Sequence, residues 1–198
     1  MRILEIQLES NDLPATKRFY METLGMELIS ESRGRLEIKA GHSVLTFIAN
    51  QHANPFYHFA FTIPAHQFTE AHDWVSRRLN LMPVKDGSTI AEFINWNARS
   101  FYCYDNNGNI LEYIARFDLP SFAEKTFSGP CIVSISEIGI VPGFAVMGND
   151  EGLVIVVDED RPWYPTLKKA GCFNTYVKAE DRGRLFELSV REKVNGAE

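Results

Sequence analysis

One pattern constrains this chain more than any other: a strand, a helix and three further strands are written in order, and then the order begins again. Ile3 to Ser10 alternates apolar Leu4, Ile6 and Leu8 with polar Glu5, Gln7 and Glu9, the signature of a strand with two unlike faces. Asn11-Asp12-Leu13-Pro14 predicts a helix start, with Asp12 as cap and Pro14 in the first turn, where no amide donor is needed. Ala15, Phe19, Tyr20 and Leu24 share one helical stripe, and Gly25 stops the helix. Short strands follow near Glu27–Ser32, Arg35–Lys39 and Ser43–Ala49, with turns at Arg33-Gly34 and Gly41-His42.

The second round opens with a strand from Phe56 to Ile63 and a helix that carries Phe68, Ala71, Trp74, Val75 and Leu79 on one side. Strands are expected around Lys85, at Thr89–Asn95, at Arg99–Tyr104 and at Ile110–Ala115, the last two joined by Asn107-Gly108, where both positions tolerate positive φ. Such internal repetition fixes the architecture before any single residue does. One helix covers one face of each small sheet, so two units can share their sheets and leave a concave trough between them. The expectation is an α+β fold of paired βαβββ modules, a curved mixed sheet around a cleft, with a β-rich C-terminal extension. The first module spans 1–52, the second 53–118, and the extension 119–198.

The extension begins with a Pro/Ser/Phe linker, Asp118 to Gly129, then a strand at Ile132–Val141 and a hairpin of Phe144–Met147 and Leu153–Val157. Ser136-Glu137-Ile138-Gly139-Ile140 echoes Leu4-Glu5-Ile6-Gln7-Leu8, so this stretch reads as a partial third module without its helix. Arg161-Pro162-Trp163-Tyr164-Pro165-Thr166 is extended or turn-like, Phe173–Lys178 is one more strand, and the end from about Glu192 is frayed.

Alternation places Glu5, Gln7 and Glu9 on one face of the first strand, and His58 with Ala60 on the face opposite Phe59 and Phe61. Glu112 sits with Ile110 and Ile114, and its counterpart in the first module is Thr46. One imidazole and two carboxylates suit Mn²⁺, Fe²⁺, Zn²⁺ or Ni²⁺, and three protein ligands leave positions open for a substrate. A metal there would act as a Lewis acid on substrate oxygens, and a displaced Glu112 or Glu5 would be the base.

Leu4-Glu5-Ile6-Gln7-Leu8-Glu9, Asn11-Asp12-Leu13, Phe19-Tyr20 and Leu24-Gly25 resemble the opening of the vicinal-oxygen-chelate superfamily, which includes glyoxalase I, bleomycin- and fosfomycin-resistance proteins and extradiol dioxygenases. Asp105-Asn106-Asn107-Gly108-Asn109-Ile110-Leu111-Glu112 resembles its hairpin running into a glutamate ligand. The resemblance covers residues 1 to about 117. It implies a divalent transition metal held by Glu5, His58 and Glu112, with Thr46 at the fourth position where a four-ligand glyoxalase site usually has glutamate. Gln7, Glu9, Thr46 and Ala60 would then line the substrate site, and Glu112 and Glu5 would be catalytic. Its members act on small oxygenated molecules as lyases, isomerases, transferases or dioxygenases. Others, like the bleomycin-resistance proteins, bind a drug without a metal between two subunits, so a homodimer is compatible with both readings.

The remaining sequence narrows the partners. The net charge of −6, with no Lys/Arg-rich run, argues against nucleic acid. The longest apolar run, Leu153 to Val157, is too short to cross a bilayer. The N-terminus has no apolar signal region, and Cys103, Cys131 and Cys172 form no CxxC pair, which fits a reducing cytoplasm. A third role, assembly through the extension with its Trp163-Tyr164 pair, competes with the other two.

Overall fold

A computed structural model describes residues 1–120 and 126–192. The first module runs β1 (Arg2–Ser10), α1 (Leu13–Arg18), β2 (Glu27–Ser32), β3 (Arg35–Ala40) and β4 (Ser43–Ala49). Asp12 caps α1 by accepting a 2.8 Å hydrogen bond from the Ala15 amide. A π-type turn over Phe19–Thr23 extends the helix, and Gly25 ends it at φ +61°. The second module is β5 (His58–Thr62), α2 (Phe68–Ser76), β6 (Ala91–Phe93), β7 (Ala98–Tyr104) and β8 (Ile110–Arg116). The expected strand around Lys85 is instead a tight 3-10 turn, Lys85–Gly87, because Asp86 at φ 58° turns the chain before a ladder can form. The strand expected at Thr89–Asn95 shortens to β6, which ends in a second such turn at Ile94–Trp96.

The extension supplies β9 (Ser134–Ile140), β10 (Ala145–Asn149), β11 (Gly152–Val156), β12 (Thr175–Asp181) and β13 (Arg184–Val190). The last of these was not expected. Residues from 193 on, and 121–125 of the linker, lie outside the described residues.

The strands form two mixed sheets, in the orders β13-β12-β1-β4-β3-β2 and β10-β11-β9-β5-β8-β7-β6. The two βαβββ modules therefore do not share a sheet, which corrects the expected trough between them. The first strand of each module takes an antiparallel neighbour from the extension: β12 for β1 and β9 for β5. Part of the extension pairs in the same pattern as the first module. β9 runs parallel to β11, and β11 antiparallel to β10, as β1 runs parallel to β4 and β4 antiparallel to β3. The second module and this helix-free unit together build the curved sheet around the cleft.

The two sheets are held together by one buried core. Ile6 and Leu8 of β1, Phe59 and Phe61 of β5, Ile135 and Ile138 of β9, Tyr20 and Leu24 beside α1, and Phe68 and Val75 of α2 all enter it. Each fully buried side chain of this size contributes roughly 1.5–3 kcal/mol of hydrophobic stabilisation. Gly41, at the β3–β4 turn, lets the sheets close up. A Cβ there would lie 2.0 Å from the Val133 carbonyl oxygen, and the next amide, His42, donates to that oxygen at 2.9 Å. Because Ile6/Leu8 and Phe59/Phe61 face inward, their alternates point out of the core on two separate sheets.

Candidate functional site

That outward face of the second sheet carries the site. A single row crosses it: Tyr102 on β7 is opposite Glu112 on β8, Glu112 opposite Ala60 on β5, and Ala60 opposite Glu137 on β9. The small Ala60 leaves open ground between the two carboxylates. His58, two residues back along β5, presents its Nε2 to Glu112 Oε2 at 3.2 Å. The other carboxylate oxygen, Oε1, accepts from Ser100 Oγ at 2.6 Å and from Tyr102 Oη at 2.9 Å. An ionised carboxylate accepts only, so His58 donates from Nε2.

Burial alone would push the Glu112 carboxyl up. The hydrogen bond and charge of His58, with the donors Ser100 and Tyr102, outweigh it and hold the group below the ordinary glutamate range. Glu137 goes the other way. Burial and then the charge of Glu112 push it up to about 7, against the pull of Arg116. Arg116, itself only 2% exposed, donates one nitrogen to Ser136 Oγ and another to Glu137 Oε1. The buried Glu112 and the half-buried Glu137 thus each face a basic group of this chain, the arrangement that makes desolvated charge tolerable.

Above this floor is a cavity of about 410 Å³ whose walls include Phe93, Trp96, Ile155, Trp163 and Tyr164. Trp163 meets His58 edge to face, with centroids 5.4 Å apart at 85°, and Tyr164 meets Tyr102 likewise at 5.6 Å. Trp163 reaches that position because β9 has no side chain beneath it: a Cβ on Gly139 would lie 2.3 Å from the indole Cη2. Tyr164 keeps its hydroxyl protonated above the usual tyrosine range, through burial and the nearby Glu112 charge.

Of the residues singled out from sequence, His58 and Glu112 meet here, and Ala60 lies beneath with Ala98 and Ile114. Glu5 does not join them. It lies on the other sheet, where its Oε1 is taken by Arg35 Nη2 at 3.0 Å, Thr46 Oγ1 at 2.9 Å and Gln7 Nε2 at 3.0 Å. Thr46 and Gln7 are thereby spent on Glu5. Glu9 Oε1 accepts from Asn50 and Asn174, and Gln7 and Glu9 line a separate cavity of about 270 Å³.

Glu5 therefore lies apart from His58 and Glu112 in this chain, because β9 rather than β1 borders β5. Nor do the residues present fit the divalent metal the resemblance implies. Among the described residues no group of three or more His, Cys, Asp and Glu is placed to hold a metal ion. Glu112 is surrounded by donors, and Glu137 is turned to Arg116.

Sequence reasoning missed Glu137 and Arg116 as site residues. The signal for Glu137 was present in the echo of Leu4–Leu8 by Ser136–Ile140, which sets Glu137 equivalent to Glu5. Arg116 carried none, being the last residue of a strand.

A family model described as Glyoxalase/Bleomycin resistance protein/Dioxygenase superfamily matches residues 2–113. No curated protein matches the chain. Similar solved structures include lactoylglutathione lyase from Agrobacterium tumefaciens, at 23% identity over 57% of this chain and 92% of that one, TM-score 0.46. A glyoxalase/bleomycin resistance protein/dioxygenase from Nocardioides is 19% identical over 63% of this chain and 89% of that one, TM-score 0.47. The bleomycin resistance determinant encoded on transposon Tn5 is 21% identical over 57% and 96%, TM-score 0.44.

Proposed function

The chain belongs to the glyoxalase/bleomycin resistance protein/dioxygenase superfamily, and from that premise we propose that it binds a small amphipathic molecule, an aromatic or apolar body with an amine head, in the β5–β8–β9 cleft without a metal ion. One observation carries the reading: each acid of the cleft floor already has a donor from this chain. His58 answers Glu112 and Arg116 answers Glu137, the work a divalent cation would do in an open carboxylate site. Arg116 takes only Oε1 of Glu137, which leaves Oε2 as the acceptor for a ligand. The aromatic walls suit a flat body and also a cation, since ring faces attract positive charge. The volume of about 410 Å³ is that of a site for a small organic molecule. No helix is long and apolar enough to cross a membrane among the described residues.

The test compares three bicyclic compounds of one size by calorimetry: 1-naphthylmethylammonium, 1-naphthylmethanol and 1-naphthoate. Binding in the order amine, alcohol, carboxylate, with the amine's lead lost in Glu137→Gln, supports the reading. Absence of binding by all three overturns it. Metal analysis by mass spectrometry runs beside it. A near-stoichiometric transition metal that His58→Ala and Glu112→Ala both remove would restore the metal-dependent enzyme instead.

One observation favours a second reading, acid–base catalysis on the bound molecule. Glu137, held near neutrality beside His58 and Glu112, can hold or release a proton at working pH. In that case turnover of a bound substrate follows a pH profile that Glu137→Gln flattens.

A further inference from the structure

Two donors near the cleft are buried without partners. Thr62 ends β5 and Arg116 ends β8, on the same face as His58 and Glu112 by alternation. Thr62 Oγ1 and Arg116 Nε are both buried and neither has a hydrogen-bond partner, at residue exposures of 7% and 2%. Buried polar atoms are satisfied in nearly every case, and one that is not calls for a missing water, ion or ligand. Both residues are among those that line one cavity.

That cavity, of about 530 Å³, lies beyond Arg116 where the two sheets meet. Ile3 and Leu4 of β1, His42 of the β3–β4 turn and Val133 before β9 close its other side. It is a different space from the aromatic cleft. The two share Arg116, whose other nitrogens are committed to Ser136 and Glu137. Its Nε–H has no acceptor in the protein and is the donor we assign to the second cavity. The Thr62 hydroxyl adds another donor. Arg2 and His42 add basic groups at the rim, and Glu151 is the one carboxylate among the described lining residues.

From these donors we propose that the inter-sheet cavity binds a small oxyanion, a carboxylate or a phosphate, with one oxygen accepting from Arg116 Nε–H and Thr62 Oγ–H. Charge-assisted bonds from a guanidinium to such oxygens are among the strongest a protein makes. The cavity has room for a small organic acid. The proposal does not depend on whether the cleft binds amines, because Nε is a different nitrogen from the one that Glu137 takes.

The experiment uses the full chain labelled with ¹⁵N, in which the Arg116 Nε–Hε signal is read directly by NMR. Acetate and inorganic phosphate are titrated separately, with chloride at matched ionic strength as the control. The expected result is a saturable shift of the Arg116 Nε–Hε and Thr62 amide signals with one of the two oxyanions, at least tenfold weaker in Thr62→Val and retained in Thr62→Ser. A response to acetate alone assigns a carboxylate, and a response to phosphate alone assigns a phosphate. No saturable shift in wild type with either, or one that chloride reproduces, overturns the proposal. So does a shift that Thr62→Val leaves unchanged. Binding of 1-naphthylmethylammonium is measured on the same Thr62→Val protein and is expected to match wild type, which separates failure of this site from failure of the cleft.

Discussion

Gly139→Ala puts the cleft wall to a direct test. A Cβ at this position would stand 2.3 Å from Trp163 Cη2 and 2.8 Å from both Cζ2 and Cζ3. Carbon atoms settle near 3.5–4.0 Å, so the indole must withdraw by more than about 1 Å. β9 cannot yield instead, because it is hydrogen-bonded to β5 on one side and β11 on the other. Withdrawal costs overpacking strain of about 1–3 kcal/mol. It also loses the edge-to-face contact with His58, worth about 0.5–1.5 kcal/mol. A net loss of about 2 kcal/mol lowers the melting temperature by roughly 4–8 °C for a chain of this length. With the wall displaced, affinity for 1-naphthylmethylammonium falls about tenfold, or roughly 1.4 kcal/mol.

The decisive assay is a double-mutant cycle in thermal unfolding. In a Trp163→Ala background the obstructing ring is gone, so Gly139→Ala there costs about 0.5 kcal/mol or less, the scale of a surface change. A penalty of equal size in both backgrounds would refute the reasoning. It would place the cost in the strand itself and not in the wall.

The other expectations concern the floor. Glu112 titrates low in the folded state, so its stabilisation is complete above the ordinary glutamate range and disappears as pH falls through the depressed value. Chemical denaturation across acid pH should show wild type losing its lead over Glu112→Gln on acidification. Glu137 has the opposite sign. The fold favours its protonated form, so its contribution is present below the ordinary range and is lost as pH rises through about 7. Wild type should therefore decline relative to Glu137→Gln between about pH 5 and pH 8. Tyr102→Phe removes one donor to a buried carboxylate and should cost about 1.5–3 kcal/mol in urea unfolding. Glu5→Gln gives up only a part-exposed ion pair with Arg35, about 1 kcal/mol or less, and calorimetry should find cleft affinity for the amine unchanged.

Much of the site could be read in the sequence because strand alternation is local. Phe59 and Phe61 are apolar, so His58 and Ala60 had to face the other way, and the hairpin at Asn107-Gly108 fixed where β8 begins and hence where Glu112 points. What the sequence does not state is which strands become neighbours. Glu5 and Glu137 occupy matching places in matching motifs, and only tertiary pairing decides which borders β5. β9 does, so Glu137 inherits the cleft and Glu5 settles into a network with Arg35, Thr46 and Gln7. β13 escaped notice because Arg184–Val190 is an edge strand with little buried, and its pattern separates no inner face from an outer one. Arg116 escaped because a terminal strand arginine reads as solvent-facing until the depth of its end of the sheet is known.

Most of the floor of the cleft and part of its wall are written in different parts of the chain. His58, Ser100, Tyr102, Glu112 and Arg116 come from the second module. Trp163 and Tyr164 come from a short turn far downstream, closed by the Trp163 amide on the Lys168 carbonyl and by the pairing of Pro162 with Lys169. On the function proposed, substitutions in that turn would change which molecules enter while most of the charged groups beneath remain as they are.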